Sequence, residues 1–141
     1  MSPTHALSTV ESIARSAGEL ILKHYGKVER LTKTHGTTDN EAVTLVDRAS
    51  QSLIVGKLRE AFPGDGIIGE EDELGAGITF DVSNTRGRVW VIDPIDGTNN
   101  FIAGLGAFCV SIGLLEAGMP TLGVVFNITR GTMISAARGV G

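Results

Sequence analysis

Cysteine is nearly missing from this sequence: Cys109 is the only one in 141 residues. A lone thiol excludes an internal disulfide framework, and its apolar neighbours suggest a buried core thiol in a reducing compartment. Positive charge is also short, with 12 Lys and Arg against 16 Asp and Glu, a formal net charge of −4 and no basic run. That balance argues against a nucleic-acid surface. No apolar stretch approaches the roughly 20 residues a helix needs to cross a bilayer, so no membrane partner is expected. The N-terminus has no basic patch running into an apolar core; no secretory leader is expected and the expected compartment is cytoplasmic. Asn127-Ile128-Thr129 is then a chance glycosylation triplet. His5 and His24 have no partners at zinc-ligand spacing. Internal repeats and low-complexity linkers are absent as well.

What remains is the composition of an ordinary globular domain, 42% hydrophobic and 20% charged. A chain of this length has room for one domain that buries about 68% of its unfolded surface. Its 19 glycines suggest tight turns between short strands. Ser2-Pro3 can open a helix, and Ala6, Val10, Ile13, Ala14, Ala17 and Ile21 recur at helical spacing until Gly26 stops it after Tyr25. Glu29 to Thr34 can be a short strand, followed by a polar loop from Lys33 to Asn40. Val43 to Ala61 starts as a strand-like or turn segment and becomes a second helix, with Val46, Ser50, Leu53, Ile54, Lys57, Leu58 and Ala61 on one stripe and Pro63-Gly64 at its end. Asp47 falls in its first turn, where a carboxylate suits the helix dipole.

Gly66 to Gly69 reads as a short buried strand delivering Glu70, Glu71 and Asp72. Three adjacent acids are most often a solvated run, and on extended chain only one of Glu70 and Glu71 can face a pocket. Leu74 to Asn84 is Gly-rich and reads as a surface excursion. Phe108–Glu116, Pro120–Asn127 and Gly131–Ala137 read as three strands of an antiparallel meander, joined by connections of hairpin length. The expected class is α+β: two long helices packed on a roughly six-stranded antiparallel sheet.

The chain is organised around Arg88 to Phe101, RVWVIDPIDGTNNF. Val89 to Ile92 is an unbroken apolar run typical of a strand covered on both faces. Pro94 has no N–H and biases Asp93 to an extended conformation, so the strand is predicted to end at that acid. Asp96-Gly97 makes a sharp turn, and Asp96 is a good N-cap for a short helix through Thr98 to Phe101. Two carboxylates ~5 Å apart repel by about 3 kcal/mol at an effective dielectric near 20, so such a pair calls for a cation, a shared proton or open water. Oxygen ligation suits Mg²⁺, and the N–H groups of Gly97 and Thr98 at a helix start suit a phosphate. From these residues alone an ordinary turn is an equally open reading, since Asp-Pro and Asp-Gly are common turn dipeptides. An EF-hand fits poorly, because the acids fall at positions 1 and 4 of the loop with Gly at 5.

WVIDPIDGTNNF resembles the signature of the inositol monophosphatase family of Mg²⁺-dependent, lithium-sensitive sugar phosphatases. GEED at Gly69 to Asp72 and VTLVD at Val43 to Asp47 match further family motifs in the same order and at similar spacing. The resemblance implies that residues 1–141 form the N-terminal domain of a layered αβαβα sandwich whose C-terminal domain is absent. It implies direct hydrolysis of a phosphate monoester, such as an inositol monophosphate or a related sugar or alcohol phosphate, with two or more Mg²⁺ per completed site. Glu70, Asp93 and the Ile95 carbonyl would hold one cation, while Asp93 and Asp96 would share a second. Asp47, Thr98 and Glu70 would position the attacking water; Asp96 and the amides of Gly97 and Thr98 would receive the substrate. The loop carrying Lys33 and His35 would lie over the metals, which makes both candidate contacts, His35 the poorer. The family form is expected to be a homo-oligomer, a dimer. The end at Arg138-Gly139-Val140-Gly141, directly after a strand, reads as a truncation, and a later family motif with another aspartate has no counterpart. Two alternatives stay open: a non-catalytic metal- and phosphate-binding or subunit-interaction module, and a different substrate, namely histidinol phosphate, fructose bisphosphate or a phosphorylated nucleotide.

Overall fold

The computed structural model describes residues 2–24, 39–69, 87–97 and 106–140, with backbone alone for 39–44. Helix α1, Pro3–His24, begins where Ser2 serves as its cap. The Ser2 hydroxyl accepts the His5 N–H at 3.2 Å and its carbonyl accepts the Ala6 N–H at 3.0 Å. Lys23 and His24 occupy the last turn, where positive charge suits the dipole. Helix α2, Asp39–Ala61, is helical from its first residue, so the strand-like start expected at Val43 does not form. Asp, Asn and Glu at 39–41 are residue types that favour a helix N-terminus, and they outweigh the β-branched pair Val43-Thr44. Asp47 therefore lies two turns into α2, beyond the reach of the terminal dipole.

Five strands follow: β1 Gly66–Ile68, β2 Arg88–Asp96, β3 Cys109–Glu116, β4 Met119–Asn127 and β5 Thr132–Ala137. They form one sheet in the order β1-β2-β3-β4-β5. The α+β class is as expected, and five of the six expected strands are here; the sixth, Glu29 to Thr34, lies outside the described residues. The sheet is mixed rather than antiparallel throughout, because β1 runs parallel to β2 with Gly66 against Val89 and Ile68 against Val91. The connection over residues 69–87 is long enough for the crossover that a parallel pair requires. From β2 to β5 the sheet is the expected meander. Its β3–β4 hairpin turns on Ala117 and Gly118, at φ +51° and +79°, the left-handed pair that matches strand twist.

Both helices pack on one face. Trp90, Ile92, Val110, Ile112, Leu114, Leu122, Val124 and Phe126 point into the core, where they meet Val10, Ile13, Ala14, Ala17 and Ile21 of α1 and Val46, Ile54 and Leu58 of α2. At one end of β2, Asp65 accepts the Trp90 indole N–H at 2.9 Å and the Arg88 Nε–H at 3.1 Å, while Arg88 also pairs with Glu116. Among the described residues nothing packs on the opposite sheet face, where Val91, Val125 and Ile134 are exposed.

Candidate active site

The other end of β2 carries Asp93-Pro94-Ile95-Asp96. Pro94 has no N–H to give to the ladder, yet the strand continues to Asp96 instead of ending at Asp93. The ladder accommodates the proline by a bulge. Asp93 pairs with Ser111 and Asp96 with Cys109, so three steps along β2 face two along β3. In a regular strand residues three apart point to opposite faces. The extra residue cancels that alternation and brings both carboxylates to the same, open face of the sheet, while Pro94 and Ile95 both turn inward and are buried. Asp93 is half-buried with Oδ1 shielded from water, and Asp96 is exposed.

The proline carbonyl does not go unmet. Ser50 of α2, fully buried, donates its hydroxyl to Pro94 O at 3.0 Å. Asp47 lies one turn earlier on α2, also with a shielded Oδ1. Beyond the strand, Gly97 takes φ +90°, and a Cβ there would sit 2.5 Å from the Ala107 carbonyl oxygen. Only glycine fits this corner.

Cys109 faces the acids across the ladder, its Sγ–H directed at Asp96 Oδ2 at 3.8 Å. It is half-buried on the carboxylate face, not in the core as its apolar neighbours suggested. Burial first, then the Asp96 charge and hydrogen bond, then the Asp93 charge, push its thiol up from 9.0 to about 11. The thiol thus registers the negative potential that two aligned carboxylates create.

Of the sequence-predicted site residues, the structure brings Asp93, Ile95, Asp96 and Gly97 to one strand end, with Asp47 on the helix beside it. Glu70, Thr98, the short helix expected after Asp96, Lys33, His35 and the Leu74–Asn84 excursion lie outside the described residues. Among the described residues no three His, Cys, Asp or Glu side chains converge on one point. The side-chain oxygens available to a cation there are those of Asp93 and Asp96, supplemented by the Ile95 carbonyl. Sequence reasoning missed two neighbours, Ser50 and Cys109. Ser50 had a visible signal, as a small polar residue on the otherwise apolar stripe Val46, Ile54 and Leu58. Cys109 had none until the bulge fixed its register.

A sequence model of the inositol monophosphatase family matches residues 3–141. The chain is 38% identical over 136 residues to the Nus factor SuhB of Xylella fastidiosa, covering 96% of this chain and 46% of that protein. It is 36% identical over 133 residues to the 3'(2'),5'-bisphosphate nucleotidase CysQ of Escherichia coli, covering 94% and 52%. Among solved structures, a Thermotoga maritima IMPase superposes with a TM-score of 0.76 at 33% identity, over 97% of this chain and 50% of that one. The chain spans about half the length of the curated relatives it matches.

Proposed function

The chain belongs to the inositol monophosphatase family, and from that premise we propose that it carries the cation- and phosphate-binding part of a metal-dependent phosphomonoesterase. The observation that supports this most is the β2 bulge, which aligns Asp93 and Asp96 on one face beside a glycine corner. The donor set fits a hard cation: carboxylate oxygens and a backbone carbonyl, with the Cys109 thiol held protonated and so a poor ligand. Glu70, Asp93 and the Ile95 carbonyl would hold one Mg²⁺, and Asp93 with Asp96 would share in a second. When bound, the cations supply Lewis-acid stabilisation of phosphoryl charge and acidify water.

The protein's own share is positioning. Asp47 and Thr98, with Glu70, orient the attacking water toward the phosphorus, in line with the leaving oxygen. The amides of Gly97 and Thr98 receive the phosphate oxygens at the β2 end. Phosphorylated small molecules are the substrate class, and the relative named as a bisphosphate nucleotidase widens that class beyond sugar phosphates. A second reading, binding without turnover, draws on the relative named a Nus factor.

Calorimetric titration with Mg²⁺ and Mn²⁺ tests the site. Asp93→Asn should weaken binding by at least about tenfold, whereas Asp72→Asn, which removes the same charge elsewhere, should change it little. Equal affinities for the two variants would remove Asp93 from the site. Phosphate release measured across a panel of phosphomonoesters then separates hydrolysis from binding alone.

A further inference from the structure

The bulge that aligns the two acids leaves one backbone carbonyl, that of Pro94, turned into the protein interior. A buried carbonyl needs a donor, and here the donor comes from a different element. Ser50 lies on the α2 stripe Val46, Ser50, Ile54 and Leu58, all at 2% exposure or less. It is the one buried polar side chain among the described residues. A serine in a helix usually turns its hydroxyl back to the carbonyl four residues earlier. This one spans 44 residues of sequence to reach Pro94 O at 3.0 Å.

We infer that Ser50 is a positioning residue for the cation site, fixing the Pro94 peptide and thereby the bulge on which Asp93, Ile95 and Asp96 are mounted. The inference rests on the functional reading above, since it assigns Ser50 a role toward the same ligands. The geometry is direct. The Pro94 carbonyl lies one residue beyond Asp93 and one before Ile95, so a rotation of that peptide moves both proposed ligands together. Without the hydroxyl, the interior carbonyl gains by rotating toward another donor. A regular strand without the bulge would return Asp93 and Asp96 to opposite faces. Ser50 touches neither substrate nor cation, and its effect passes wholly through the backbone.

The test uses the 141-residue chain, with Mn²⁺ and Mg²⁺ as probes in calorimetric titrations. Ser50→Ala should weaken cation binding by about tenfold, the usual scale for an interaction that orients a ligand. Ser50→Cys keeps a weak donor in a slightly larger side chain and should fall between Ser50→Ala and the wild type. Ile54→Val trims the same buried stripe one turn further on and should lower the melting temperature while leaving cation affinity at the wild-type value. In cation-free protein, amide hydrogen exchange at Ile95 and Asp96 should accelerate in Ser50→Ala and not in Ile54→Val. Wild-type affinity in Ser50→Ala, unchanged exchange at those amides, or an equal affinity loss in Ile54→Val would overturn the inference while the functional reading stands. A wild-type chain that binds neither cation would overturn both.

Discussion

At the scale of single residues, the acid end of β2 is set by steric and electrostatic facts that leave few substitutions open. Gly97 at φ +90°, with the Ala107 carbonyl where a Cβ would go, means that Gly97→Ala adds backbone strain to a clash. It should destabilise the chain by about 1–3 kcal/mol, read as a fall in melting temperature, and weaken phosphate binding at the same corner. Cys109 allows a pH test. Its thiol is raised to about 11 from 9.0 by burial and by the charges of Asp96 and Asp93, so the folded protein holds this proton more tightly than the unfolded chain does. The associated stability is fully present below pH 9 and is lost as pH rises through 11. In the presence of a chelator, alkylation of Cys109 should stay slow at pH 9 and show a midpoint near 11, and Asp96→Asn should bring that midpoint down. An unchanged midpoint in the variant would mean that the Asp96 charge and hydrogen bond do not set the thiol. Asp93 and Asp96 stood out as candidates from their spacing and the proline between them, because two carboxylates in one turn call for a cation, a shared proton or open water. Ser50 stood out only as a polar residue on an apolar stripe; its partner, the Pro94 carbonyl, was not legible, because only the tertiary fold brings the two together.

Among the elements, the strongest periodic signals were the most faithful. The apolar repeat of α1 and the three meander strands stand where their patterns put them, since burial on one face fixes both the period and the register. Misreadings gather where two local preferences compete. Val43-Thr44 favours a strand, but the preceding residue types favour a helix start, and α2 runs from Asp39. Pro94 was expected to stop β2, and instead the strand passes it as a bulge, because Ser50 satisfies the carbonyl and Cys109 pairs with Asp96 beyond it. No periodicity reports a bulge, so the common facing of the two acids could not be derived from alternation alone. The contact between α1 and the sheet can be probed at Gly18, where a Cβ would meet the Phe126 ring at 2.5 Å. Gly18→Ala gains helix propensity of about 1 kcal/mol but overpacks the core at a cost of roughly 1–3 kcal/mol. The net expectation is a lower denaturant midpoint. A higher one would show that the ring moves aside freely and that this close approach is not a constraint.

For the molecule as a whole, two helices cover one side of the sheet, and among the described residues nothing packs on the other. The open face presents Val91 at 39%, Val125 at 38% and Ile134 at 66% exposure, with Gly113 and Gly123 keeping its middle flat. It is also the face to which the bulge turns Asp93 and Asp96, so whatever covers the apolar part also borders the acids. Relatives about twice as long have further chain that could serve. For the 141-residue chain, a second copy is one such cover, and exposed apolar surface of this kind favours association. Sedimentation velocity should therefore show concentration-dependent self-association. Val125→Lys with Ile134→Lys should suppress it, because each charge would have to be desolvated in the interface. Both positions share a cross-strand row with Asp93 through Ser111, so the added positive charge should also weaken cation binding. A substituted chain that still associates as the wild type does would place the contact elsewhere, for instance along β5, the outer strand of the sheet among the described residues. Turnover follows the same logic. The residues proposed for the two cations, Glu70, Asp93 and Asp96 with the Ile95 carbonyl, share few oxygens between two ions that each take about six, so the chain alone should bind cation weakly and hydrolyse phosphomonoesters slowly. Robust Mg²⁺-dependent hydrolysis by a strictly monomeric 141-residue chain would show instead that the site is complete within it.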